Sequence, residues 1–89
     1  MILLAKVESI FTITGRGTVI VPAFLSERQA NQGEPIQLRS SDGKTRNTSI
    51  LSVTSVNLGS GKRRPAFMLD RDTVKQDVAE GDEIWIQET

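Results

Sequence analysis

The feature that most constrains this chain is a two-residue alternation of side chains that runs through nearly all of it. Val7, Ser9, Phe11 and Ile13 alternate with Glu8, Ile10, Thr12 and Thr14, and Thr18 to Val21 continue in the same manner. A period of two follows the pleat of a strand and cannot make the 3.6-residue stripe of a helix. The abundance of Ile, Val and Thr points the same way. Thr14-Gly15-Arg16-Gly17 separates the two runs, and Gly15 suits the positive φ of a type II′ hairpin turn. That turn sets Ile13 opposite Thr18 and Phe11 opposite Ile20, which gives the hairpin one apolar face. Ser41-Asp42-Gly43-Lys44 predicts a second hairpin, of type I′, between strands at 36–39 and 49–56. Further strands are expected at 66–69 and 83–87, with a turn at Gly33-Glu34-Pro35. Residues 22–32 read as irregular and 57–65 as a loop. One helical turn fits 74–80, capped by Asp72 or Thr73 and stopped by Gly81. Six or seven short strands with hardly any helix predict an all-β fold, a small barrel or sandwich.

A chain of 89 residues is expected to be a single domain over 1–89. At that size about 64% of the unfolded surface is buried, enough for a modest core without staples. The alternation proposes Phe11, Ile13, Ile20, Leu38, Val53, Leu69, Val78 and Ile84 as that core. The chain has no Cys and no His. Disulfides, Cys/His zinc sites, thiol nucleophiles and triads with a His base are therefore excluded. No stretch approaches 18 apolar residues, so no membrane span is expected, and the reading is of a cytoplasmic protein.

The 11 basic and 11 acidic residues cancel, yet they are unevenly distributed. Residues 1–64 hold nine basic and four acidic side chains, whereas 65–89 hold two and seven. Lys62-Arg63-Arg64 is the densest positive cluster, and Arg forks and Lys point charges suit phosphates. Lys44 and Arg46, beside the second turn, join this candidate RNA- or partner-binding set if both loops share one end of the fold. Asp70, Asp72, Asp77, Glu80, Asp82 and Glu83 lack the spacing of an EF-hand loop and read as a solvated acidic face, so no metal is expected. Gly61-Lys62 and Gly43-Lys44-Thr45 miss the remaining residues of a phosphate loop: Val56 and Leu38 stand where it needs Gly. No nucleotide, cofactor or catalytic set is predicted. Trp85, out of phase with Ile84 and Ile86, is either a core or inter-sheet residue or an exposed anchor for a protein partner.

The run Ile10-Phe11-Thr12-Ile13-Thr14-Gly15-Arg16-Gly17-Thr18-Val19 closely resembles the opening hairpin of domain 2 in translational GTPases of the elongation factor Tu type. Gly33-Glu34-Pro35-Ile36-Gln37-Leu38 resembles that family's lead-in to its third strand. Residues 48–56 fit its next strand, and 72–82 resemble its aspartate-valine turn before the closing strand. The pieces occur in family order over about residues 6–87. The resemblance implies a closed antiparallel β-barrel, in a family where this domain helps to hold tRNA ends or the ribosome. Pro22-Ala23 replaces the family's usual Gly-Arg pair, and 59–65 replaces the loop that contributes to its aminoacyl-end pocket. Aminoacyl-tRNA binding is therefore not carried over.

These readings predict a non-catalytic binding module, free of GTP binding or hydrolysis, that contacts RNA, the ribosome or a translation factor. The alternative is a protein-interaction module outside translation, such as an immunity or antitoxin-like partner or a regulatory subunit of a larger assembly. Weak head-to-tail self-association, positive loop to acidic segment, is a further expectation.

Overall fold

The computed structural model describes residues 1–57, 61, 63–73 and 75–88. Six strands form: β1 (Ile2–Ile13), β2 (Gly17–Phe24), β3 (Pro35–Arg39), β4 (Thr45–Asn57), β5 (Arg63–Leu69) and β6 (Glu83–Ile86). Every pairing is antiparallel, and the order β1-β2-β5-β4-β3-β6 returns to β1, so the sheet closes into a ring. Within the helical turn expected at 74–80 there is a 3-10 turn at Lys75–Asp77, and Val74 lies outside the described residues. The apolar opening of the chain belongs to β1, where Ile2 faces Ile86 across the ladder to β6.

Two apolar clusters lie on opposite faces of the same strands. The ring encloses Leu4, Val7, Ile20, Ile36, Leu38, Ile50, Phe67, Leu69, Ile84 and Ile86, joined by Val78 from the β5–β6 connection. Val19 and Val21 alternate with Ile20, and Ala66 and Met68 alternate with Phe67 and Leu69. These four form a second cluster, against which Phe11, Ile13 and Val56 pack. The single core expected from the alternation is therefore corrected. Phe11 and Ile13 belong to the second cluster, while Ile20, Leu38, Leu69, Val78 and Ile84 share the first.

A β-bulge causes that difference. The register of β1 on β2 shifts between Val7 and Ser9. An extra residue exchanges the faces of everything beyond it. Val7 thus points into the ring, whereas Phe11 and Ile13 point out of it. The hairpin register is also one residue from the expected one: Phe11 faces Val19, Thr12 faces Thr18, and Ile10 faces Ile20. The Arg16 N–H donates to the Ile13 carbonyl at 2.9 Å, and Gly15 has φ 79°. Gly15 therefore stands at the third position of a type II turn and not at the second of a type II′ turn.

The second hairpin departs similarly from type I′. Gly43 has φ 89°, but no non-glycine residue among those described has positive φ, so Asp42 does not take the conformation that type I′ requires. The Gly43 N–H donates to the Ser40 carbonyl, and the Ser40 N–H donates to the Lys44 carbonyl. This is a type I turn followed by a left-handed glycine. A bulge between Ile50 and Ser52 lies in β4. Past it Val53 faces Phe67 where the ring opens, and Val53 is 43% exposed instead of in the core.

Candidate functional site

Of the five cations expected to form one site, the four that are described do not gather. Lys44 and Arg46 stand at the start of β4, and Arg63 and Arg64 follow the loop at its end. The two groups thus lie at opposite ends of a 13-residue strand. Lys62 lies outside the described residues. Arg63 and Arg64 open β5, facing Asn57 and Val56, and are not part of a loop.

At the start of β4, Arg46 donates from Nη2 to the Asp72 carbonyl at 2.7 Å and lies 3.4 Å from the Asp77 carboxylate. Its Nε is buried without a hydrogen-bond partner among the described residues. Lys44 extends into solvent, 4.0 Å from Asp42. The Asp42 carboxyl is held below its ordinary range by the Ser40 hydroxyl and then by the Lys44 backbone N–H. These residues line a polar groove of about 370 Å³ with Leu38, Gln76 and Asp82. The neighbouring carboxylates mostly close turns: Asp82 accepts from the Ala79 N–H, and Asp70 accepts from the Asp72 N–H. Among the described residues no three potential metal ligands come together.

At the other end, β2 and β5 separate to leave an apolar groove of about 530 Å³, lined by Phe24, Ala30, Val53, Pro65, Phe67 and the loop 26–29. The cause lies in the sequence. β2 and β5 pair only at Val19 with Met68 and Ile20 with Phe67. Continued by two residues, that register brings Pro22 opposite Pro65. Neither proline has an N–H to extend the ladder. Arg64 bridges the gap, donating to the Pro22 carbonyl at 3.2 Å and pairing with Glu8 at 2.7 Å.

Phe67 forms the groove's floor, and Phe24 meets it edge to face with centroids 6.0 Å apart while remaining 42% exposed. Arg63 is two residues from Pro65, on the same face of β5 by the pleat. It is exposed and makes no side-chain hydrogen bond or ion pair among the described residues. On the groove's loop side, Arg28 donates to Glu34 at 2.6 Å. That hydrogen bond is the main reason the Glu34 carboxyl sits below its ordinary value of 4.5, with help from Asn31.

Sequence reasoning missed Phe24, because 22–32 reads as irregular; the facing prolines were the available signal. Trp85 is neither inter-sheet filler nor a bare anchor. It lies half-buried under the Arg39 guanidinium, 4.1 Å from the ring centre, and donates to Glu83. Comparison with protein-family models, curated proteins and solved structures returned no match.

Proposed function

We propose that the chain is a non-catalytic binding module of the translation-factor domain 2 type, and that it holds single-stranded RNA at the mouth of its ring. The observation that carries this reading is the groove between β2 and β5, which is lined by the exposed Phe24 ring and whose β5 wall leads, two residues before Pro65, to Arg63, a cation without an ion pair among the described residues. Bases stack on aromatic faces while cations take the phosphates. Phe24 supplies the face, and Arg63 supplies the phosphate contact. Arg64 is occupied by Glu8 and the Pro22 carbonyl, so it is a structural cation on this reading. The resemblance of residues 10–19 to the domain 2 hairpin, together with the closed antiparallel sheet, supports the family assignment as an expectation for the fold as a whole.

The test is a titration of a labelled oligouridine against salt. Lys62 and Arg63 acting as two contacts give a log–log slope of about −1.4, whereas three contacts give about −2. Phe24→Ala weakens binding by about 1–3 kcal/mol if one base stacks there. Absence of any salt-dependent binding sinks the RNA reading. The isolated chain is also expected not to bind GTP, and micromolar affinity by calorimetry contradicts a domain 2-type binding module. The alternative of a protein partner draws on Leu25 and Leu51, 58% and 42% exposed, which RNA contacts do not require. A partner retained after nuclease treatment in an affinity pull-down favours that second reading.

A further inference from the structure

We propose that the outer edge of β4 is a self-pairing surface, on which a second copy of this chain adds its own β4 antiparallel about a twofold axis centred on Thr54. β4 is paired to β3 only through Thr45–Ser49, and Ile50 then exchanges hydrogen bonds with Gly33 and Glu34. From Ser52 to Val56 the strand is paired to β5 on one side, with Leu51 at the bulge before it. On its other side, no backbone group of those six residues has a partner among the described residues. Pro65 faces Ser55 and has no N–H for a bonded pair there. The alternation of the ladder then turns the N–H and C=O of Val53 and Ser55 away from β5, where another strand can take them.

The sequence of that edge carries neither a charge nor a proline, and its one protection is the bulge between Ile50 and Ser52. From Asn47 to Asn57 there is no charge, no proline and no glycine, and the run is rich in β-branched residues. Natural sheets blunt exposed edges with Lys, Pro, bulges or covering loops. Another open edge, β1 beyond Val7, is guarded by Glu8 and its ion pair with Arg64, and where β2 and β5 part each strand has a proline, Pro22 and Pro65. A second copy fits the β4 edge better than a charged partner does, because the segment is nearly its own complement. Centred on Thr54, the twofold pairs Thr54 with Thr54, Val53 with Ser55, and Ser52 with Val56. Thr–Thr pairs are favourable across strands, and no like charges meet. The zero net charge of the chain removes the long-range repulsion that keeps many proteins apart. Pairing also covers Leu51 and Val53. A six-residue strand pair is a small interface, in the class below about 1,200 Å² that gives weak, concentration-dependent association.

Sedimentation velocity of the full chain, from about 10 µM to about 1 mM, spans the range of dissociation constants expected for such a contact. The weight-average mass rises with concentration from 9.8 kDa toward twice that value. Thr54 is exposed, so Thr54→Lys and Thr54→Glu are each expected to fold. Each alone puts like charges face to face and stays monomeric, whereas an equimolar mixture of the two restores the dimer. Should either variant fail to fold, crosslinking decides, since the chain has no Cys. Thr54→Cys oxidises to a disulfide dimer many times faster than Thr12→Cys, which lies on the guarded edge. A monomer at every concentration, a dimer indifferent to both charge variants, or equal crosslinking at the two positions overturns the proposal. So does a dimer abolished by Arg63→Glu alone, which would instead be a head-to-tail charge contact.

Discussion

At the start of β4, Arg46 is held between the Asp72 carbonyl and the Asp77 carboxylate, inside a groove walled by polar side chains. At its far end, Arg63 stands exposed beside a groove walled by Phe24, Val53, Pro65 and Phe67. Both cations sit on neighbouring strands of one ring and look equivalent in the sequence. The acidic 70–82 segment, which returns across the first end, pairs with the cation there, whereas at the second end Glu8 pairs with Arg64 and Glu34 with Arg28, and Arg63 makes no ion pair among the described residues. A positive residue therefore signals a binding site only once its intramolecular partners are known.

The largest expected effect tests the apolar end. Phe67 is buried in the inner cluster and floors the groove, so Phe67→Ala lowers stability by about 3–5 kcal/mol, read as the urea midpoint. A total stability of about 4–13 kcal/mol makes that change severe. Phe11→Ala removes a half-buried ring from the outer cluster and costs less, about 1–2 kcal/mol. Equal losses for the two would show that the clusters are one cooperative core rather than two.

Smaller effects separate the cations. Arg64→Ala removes a hydrogen bond to Pro22 and a half-exposed ion pair, and costs about 1 kcal/mol. Arg63→Ala leaves the midpoint within about 0.5 kcal/mol, as for other surface changes without partners. A larger loss for Arg63 than for Arg64 would reverse their assignments. The last effect concerns pH. Glu34 is held below its ordinary value of 4.5 by Arg28, so its contribution is present above that value and fades as pH falls through the depressed folded one. Glu34→Gln is expected to lower the midpoint at pH 7 and to flatten part of its fall below pH 4.5. An unchanged acid limb would show that the Arg28–Glu34 pair adds nothing to folding.

Much of the fold was legible because alternation and turn residues are local signals. Gly15 and Gly43 mark both hairpins, and the strands expected at 36–39, 66–69 and 83–87 are present, although β5 starts three residues earlier, inside the expected loop, and β6 stops at Ile86. The bulge near Glu8 was not legible, since nothing in Val7-Glu8-Ser9 distinguishes it from a continuous strand. That one inserted residue moved Phe11 and Ile13 to the other face and misassigned the core. The candidate site was half legible. The basic cluster was visible, but the Glu8 partner of Arg64 lies 56 positions away, and only the ring brings them together. Phe24 was hidden by its setting among Pro22, Ala23 and Leu25, although Pro22 and Pro65 together fix the groove beside it.

The contrast between the two ends is tested most directly by one pair of charge reversals. Arg63→Glu and Lys44→Glu change the net charge equally, at opposite ends of β4, and both alter exposed side chains. Anisotropy titration of a labelled oligouridine at fixed salt compares them. The account predicts that Arg63→Glu weakens binding by about tenfold or more, equivalent to about 1.4 kcal/mol, while Lys44→Glu stays within about twofold of the parent. Equal weakening by both would mean that net charge alone governs the interaction, and a loss confined to Lys44→Glu would move the binding surface to the other end of the molecule.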